Sequence, residues 1–231
     1  MAFFGIHVLK SQYMPGQNIW AYMPVLETVI DISDFEHNPT ADFNNGFNER
    51  LLHMLPGLKK HGCSSKQGGG FPSRLETGTW IGHVLEHVII ELQCLIGLRN
   101  NFGQTRQASK AGIYFLVFSS PHEKLAREIF HCGRDLVLSV FNDQHYDLNS
   151  CITLLKETAY QLLPGPTSQC IINAAKKDKT PYLRPTEYNL FQLGYACNRR
   201  LFWTSTTEKT SVLAVGIAQN KALTKALLSQ C

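Results

Sequence analysis

The sequence predicts an α/β chain, in the broad sense of α+β, whose N-terminal domain packs helices around a small mixed sheet. Three features indicate this class. A helix-period pattern lies between Gly78 and Gly97, a short and fully apolar strand covers Ile113–Ser119, and a Pro-Gly turn separates two extended segments near the N-terminus. With 231 residues and 44% hydrophobic side chains, the chain can bury a sizeable core.

The two N-terminal segments, residues 3–9 and 19–32, are apolar and β-prone, and the short turn between them predicts a hairpin. Apolar periodicity predicts three further helices at residues 46–58, 121–141 and 148–163. Residues 59–73 and 99–112 are polar and rich in glycine, which predicts loops on either side of the central helix.

Residues 164–166, Pro-Gly-Pro, interrupt the pattern and predict a domain boundary. In the second part, a helix capped by Thr167-Ser168, two short strands at 200–205 and 212–217, and a helix at 219–229 are expected. Such a small number of helices and strands cannot form a sufficient hydrophobic core of their own. This part is therefore predicted to be the beginning of a larger module.

Composition excludes several function classes. The net charge is +4 and no run of Lys and Arg is present, so nucleic-acid binding is not expected. The start lacks a signal-peptide pattern, and no run of about 18 apolar residues predicts a membrane span. The seven cysteines form no C-x-x-C pair, which favours reduced thiols in the cytoplasm. The composition does not decide whether the chain is a monomer or a homo-oligomer.

One face of the central helix carries the chemistry. His83 and His87 lie one turn apart, so one divalent ion could bridge them. Together with Glu86 they form H-x-x-E-H, in which the histidines bind Zn²⁺ and the Glu is the general base for a water whose pKa zinc lowers to about 7. Glu91, the next acidic residue on this face, is the predicted third ligand, and Cys63 is a spare candidate.

A different interpretation of the same face needs no metal. The four polar residues could line a solvated crevice. In that case the face must be exposed, because two buried and unpaired carboxylates beside two histidines would be costly.

Five blocks of residues resemble the cyanophycin synthetase family, in matching order and spacing. They are residues 61–64 with 69–71, 78–87 continuing to 93, 102–106 with 112–114, 165–168, and 192–195 followed by 207–211 and 220–228.

The resemblance implies a fold and an activity. This family makes cyanophycin, multi-L-arginyl-poly-L-aspartate, with an ATP-grasp module and a Mur-ligase-like module that use ATP and Mg²⁺. By resemblance, residues 1–162 are the family's N-terminal domain and 163–231 are the beginning of an incomplete ATP-grasp subdomain. The sites for ATP and Mg²⁺ are expected only in full-length members, and the chain contains no G-x-x-x-x-G-K-[ST] motif.

The N-terminal domain of the family holds the polymer, and this is the function first expected for the chain. Arg74 and Arg106, in the flanking loops, could then pair with the polymer's terminal carboxylate. If the domain only binds, Glu76, Glu86 and Glu91 would contact arginine side chains of the polymer.

The alternative function is also implied by resemblance. Some members of the family resemble zinc peptidases that cut the polymer into primers. Carried over to this sequence, His83, His87 and Glu91 are the zinc ligands and Glu86 is the base.

Overall fold

The computed structural model of the chain describes residues 5–43, 45–63, 69–98, 102–186 and 188–230. It divides into two units, Met1–Gln161 and Leu162–Cys231. Parts of three sequence predictions lie outside the described residues: residues 3–4 of the first strand, 64–68 of the first glycine-rich loop and 99–101 of the second. Within the described residues, no helix has both the length and the apolar character needed to cross a membrane.

The first unit contains one four-stranded sheet, made of β1 (His7–Met14), β2 (Val25–Asp31), β3 (Gly103–Gln107) and β4 (Ile113–Ser119). The strand order is β1-β2-β4-β3 and each of these pairings is antiparallel. The expected mixed sheet is therefore wrong for the described strands, because hairpins join β1 to β2 and β3 to β4, and β4 runs against β2. The predicted N-terminal hairpin and the bounds of β4 are confirmed.

The central strands are covered on both faces. Almost every residue of β4 is buried, as expected for a fully apolar run. Strand β2 carries a charged residue on one face, Glu27, which is only 8% exposed. Its Oε2 accepts a hydrogen bond of 2.6 Å from Trp20 Nε1, which satisfies the buried carboxylate. Trp20 precedes β2, in residues that the sequence assigned to the strand.

The described residues of this part of the chain form the helices α1 (Phe47–Met54), α2 (Gly70–Thr77), α3 (Ile81–Leu95), α4 (Glu123–Phe141) and α5 (Leu148–Leu162). Helix α3 packs against β3, β4 and α4. A Cβ on Gly133 of α4 would lie 3.0 Å from Ile89 Cγ1 and 3.4 Å from Leu85 Cδ1, so the two helices cross closely. Helix α2 begins inside the segment 59–73 that was predicted as a loop, and β3 lies within the predicted loop 99–112.

The apolar face of α3 anchors the domain, which can be tested by Leu85→Ala. Leu85 is fully buried, so the change is expected to lower the free energy of unfolding by about 2–5 kcal/mol. Leu95→Ala on the same helix is the matched control, because Leu95 is 38% exposed and should cost less than about 1 kcal/mol. Urea unfolding of both variants measures the difference, and equal losses would contradict this packing.

The second unit contains α6 (Pro166–Lys177), β5 (Tyr182–Leu183), β6 (Leu190–Leu193), β7 (Arg200–Trp203), β8 (Thr206–Thr207), α7 (Val212–Gln219) and α8 (Lys221–Leu228). Its strands form an antiparallel sheet in the order β5-β6-β7-β8. Ile172, Phe191 and Phe202 form a small core.

Two local predictions for this unit are wrong. Residues 212–217 form helix α7 and not a strand, because a short apolar run fits either structure and the Ser211 side chain caps the helix by accepting from the Ala214 amide. No cap is made by Thr167 or Ser168, since α6 begins at Pro166 with Gly165 as its N-cap.

Candidate metal centre

The polar face of α3 is buried. Glu86, His87 and Glu91 are only 7%, 5% and 7% exposed. Helix α2 supplies part of the cover, because the Phe71 ring stacks on the His87 imidazole with a centroid separation of 4.0 Å and an angle of 26°. The solvated-crevice interpretation required an exposed face, and these three side chains are less exposed than it requires, while His83 is half-buried.

Three donor side chains converge over this face. His87 Nε2 lies 3.2 Å from His83 Nε2, and Cys63 Sγ lies 3.6 Å from the same His83 atom. The ligand atoms of Cys63, His83 and His87 all lie within 4.8 Å of one another. A thiol and two imidazoles in such a group are the ligand types that zinc prefers.

The second nitrogen of each imidazole is engaged on the side away from this group. His83 Nδ1 lies 2.9 Å from Thr79 Oγ1, and His87 Nδ1 lies 3.1 Å from His61 Nδ1. The Nε2 atoms are therefore the ones directed toward Cys63. A ring nitrogen that ligates a metal usually has its partner nitrogen fixed in this way.

Both imidazoles are neutral at physiological pH. Burial, with the nearby charge of Arg74, lowers the pKa of His83 to about 4. Burial, followed by the neighbouring His83 and His61, lowers the pKa of His87 to about 3. Neutral imidazole is the form that offers a lone pair to a metal.

Two of the three donor separations fit tetrahedral zinc, and the third, between His87 and Cys63, is within 4.8 Å. With Zn–N near 2.05 Å and Zn–S near 2.3 Å, tetrahedral geometry separates two nitrogens by about 3.3 Å and a nitrogen from the sulfur by about 3.6 Å. The corresponding distances here are 3.2 Å and 3.6 Å. A zinc ion held by these three donors would have a fourth position left for water, which is the pattern of a catalytic site.

Glu91, the predicted third ligand, is not in the group formed by Cys63, His83 and His87, and it pairs with His61 instead. Its Oε2 is 2.9 Å from His61 Nε2, and the two side chains are 9% and 13% exposed. Among the described residues, the third donor near His83 and His87 is the Cys63 thiol, which the sequence offered only as a spare candidate.

Glu86 lies between the two histidines along α3 and faces the same cleft. Burial raises the pKa of its carboxyl to about 7, although hydrogen bonds with the Thr105 side chain and backbone act in the opposite direction. A carboxyl with a pKa near 7 can both accept and donate a proton at neutral pH.

A cleft of about 510 Å³ opens next to this group. Its described lining includes Cys63, His83, His87, Glu86 and Arg74. Arg74 therefore lines the cleft, but it is an exposed residue of helix α2 and does not lie in a loop as predicted.

Arg106 is not among the residues described as lining the cleft. It extends from β3 over the Trp20 ring, with its guanidinium carbon 5.6 Å from the ring centroid.

A family model of cyanophycin synthase-like N-terminal domains matches residues 27–142. The chain belongs to this family. The matched range contains Cys63, His83, Glu86 and His87, so the candidate metal centre of this cyanophycin synthase-like domain lies wholly inside the family region.

Curated cyanophycin synthetases extend the similarity over nearly the whole chain. The protein from Geminocystis herdmanii is 32% identical over 228 residues, and that from Trichormus variabilis is 32% identical over 229 residues. A third, from Synechocystis sp., is 30% identical over 226 residues. These matches cover 96% or 97% of this chain but only 25% or 26% of the relatives, so the chain spans about a quarter of their length.

Sequence reasoning missed three contacts of this cyanophycin synthase-like domain. His61 lies in a family block, but no local pattern around it indicated a contact with α3. Thr79 could have been found, since it lies four residues before His83, just ahead of α3. Thr105 lies in a segment predicted as a loop, so nothing local indicated that β3 brings it to Glu86.

Proposed function

We propose that this domain binds cyanophycin and cuts its poly-aspartate backbone by zinc-dependent hydrolysis. The observation that carries the proposal is the group of Cys63, His83 and His87, whose ligand atoms lie within 4.8 Å of one another and which line one cleft with Glu86. The substrate is taken from the family, whose curated relatives are named cyanophycin synthetases.

Glu86 is the proposed general base and acid. Zinc, when bound, supplies a Lewis acid that activates water at neutral pH. The Glu86 carboxylate takes a proton from the water as its oxygen bonds to the amide carbon. When the carbon–nitrogen bond breaks, Glu86 returns the proton to the leaving amine, and a pKa near 7 suits both transfers.

Arg74 is the proposed anchor for the polymer. Its exposed guanidinium lines the cleft and can bind a carboxylate through two parallel hydrogen bonds, which a lysine cannot match. Arg106 is proposed as a secondary contact at the edge of β3, where its stacking on Trp20 restricts its orientation. Glu91 is less suited to bind arginine groups of the polymer, because it is paired with His61.

Metal removal tests the proposal. The full chain, loaded with zinc, is expected to hold about one zinc per molecule and to release new amine ends from purified cyanophycin. Dialysis against a chelator should abolish release, and added Zn²⁺ should restore it. Cleavage that continues unchanged without metal would contradict zinc chemistry. Tight binding of the polymer with no cleavage by the zinc-loaded chain would leave the domain as a binding module.

We also propose that residues 163–231 correspond to the beginning of an ATP-grasp module. The support is the extent of the curated matches, which cover 226 to 229 residues and so continue past the family region that ends at residue 142. Superposing an experimental structure of a full-length relative on residues 162–230 would test this assignment.

A further inference from the structure

We infer that His61 and Glu91 form a positioning pair, which fixes the His87 imidazole with its Nε2 lone pair directed toward Cys63 and His83. This inference rests on the proposed metal centre and deepens it. Glu91 Oε2, His61 and His87 are joined in a row, with 2.9 Å between the carboxylate and His61 Nε2 and 3.1 Å between the two Nδ1 atoms.

The Glu91 carboxylate decides which nitrogen of His61, and then which nitrogen of His87, carries a proton. An ionised carboxylate accepts hydrogen bonds and donates none, so His61 carries its proton on Nε2. A neutral imidazole with one nitrogen protonated accepts at the other, so His61 Nδ1 accepts from His87 Nδ1. His87 thereby keeps its proton on Nδ1, and its lone pair is on Nε2, 3.2 Å from His83 Nε2.

His83 can have the same tautomer, with its proton on Nδ1, through a single hydrogen bond to Thr79. The Thr79 hydroxyl, 2.9 Å from His83 Nδ1, can accept that proton directly. A hydroxyl also donates, so by itself it selects neither tautomer. A carboxylate only accepts, so the Glu91–His61 pair selects the His87 tautomer that has its proton on Nδ1.

The surrounding packing holds the pair in place. The His61 and Glu91 side chains are 13% and 9% exposed, so water competes little for their hydrogen bond. Phe71 lies against both imidazoles, at 4.0 Å from His87 and 6.5 Å from His61 between ring centroids.

Gly57 makes room for the Glu91 carboxylate. A Cβ at this position would lie 1.8 Å from Glu91 Oε1, so only glycine leaves the carboxylate where it is. Gly57 is not among the glycines with positive φ, so alanine is compatible with its backbone. Gly57→Ala therefore displaces the carboxylate while leaving Glu91 and His61 chemically intact.

The experiment measures zinc affinity of the full chain by competition with a chromogenic chelator. Glu91→Gln and Gly57→Ala are each expected to weaken zinc binding by about 10- to 100-fold. A glutamine is neutral and can turn its NH₂ toward His61, which reverses the proton order. Glu49→Gln is the matched control, because Glu49 is exposed on α1 and outside the metal-binding group.

Two further readouts separate positioning from general damage. The unfolding temperature of the metal-free variants should stay near that of the wild type. The visible spectrum of the Co²⁺-loaded protein should change in both variants, because the geometry at His87 changes, and should be unaltered in Glu49→Gln. Zinc affinities of Glu91→Gln and Gly57→Ala within about twofold of the wild type would overturn the inference.

The outcome can be separated from that of the proposed function. If the wild type binds zinc but does not cut cyanophycin, hydrolysis fails and the affinities still decide the role of the pair. If hydrolysis is observed and the variants keep full affinity, the pair has no positioning role. A wild-type protein that binds no zinc would contradict both zinc-dependent hydrolysis and the positioning role of the pair.

Discussion

Glu86→Gln is expected to lower the rate of cyanophycin hydrolysis by about 10²- to 10⁴-fold while the protein keeps its zinc. The amide has nearly the same shape as the carboxyl but cannot accept a proton from water. Because Glu86 is not among the three clustered donors, its loss should leave the metal content unchanged. Amine release and elemental zinc, measured on the same samples, check both parts.

A second variant moves the Glu86 side chain without changing its chemistry. A Cβ on Gly103 would lie 2.9 Å from Glu86 Cγ and 2.7 Å from Ile90 Cδ1, so Gly103→Ala should push the carboxyl out of place. We expect it to lower the rate less than Glu86→Gln does, again with zinc retained.

A Glu86→Gln protein with more than about a tenth of the wild-type rate would exclude Glu86 as the base, given the usual size of this effect.

Cys63→Ser should produce the largest loss of zinc affinity, exceeding the roughly 100-fold upper range expected for residues that only orient a ligand. A thiolate is an anionic and soft ligand, whereas the serine hydroxyl is neutral and a poor zinc ligand. The measurement is the chelator competition used for Glu91→Gln and Gly57→Ala, with folding checked by circular dichroism.

Cys94→Ser is the matched control for this loss. Cys94 is on α3 near Glu91, outside the group of three donors, so its replacement should leave zinc affinity unchanged. A Cys63→Ser protein that kept its zinc, together with a Glu91→Gln protein that lost all of it, would restore Glu91 as the third ligand and contradict the arrangement proposed here.

The central helix and its histidine pair could be predicted because they depend on local spacing. An i, i+4 pair lies on one face of any helix, and apolar periodicity marks the opposite face. The partners of that face could not be predicted in the same way. Cys63 and His61 reach α3 from 20 and 26 residues earlier in the chain, and no local pattern reports a contact of that range.

The burial of the polar face escaped prediction for a related reason. Periodicity separates polar from apolar positions but does not reveal that a second element covers the polar side. Here α2 provides that cover through Phe71, within a segment whose glycines and serines indicated a loop. Strand β3 was missed because polar residues such as Gln104 and Arg106 do not show the usual strand pattern.

Cys63 precedes α2, and His83 follows it 20 residues later. An ion held by both would close the intervening segment into a ring and restrain α2 from its two ends. Because the unfolded chain lacks this arrangement, bound metal would add to the stability of the folded form in proportion to its occupancy. Since α2 carries Arg74, the proposed anchor for the polymer, loss of the metal would under the proposed function weaken polymer binding as well as stop cleavage.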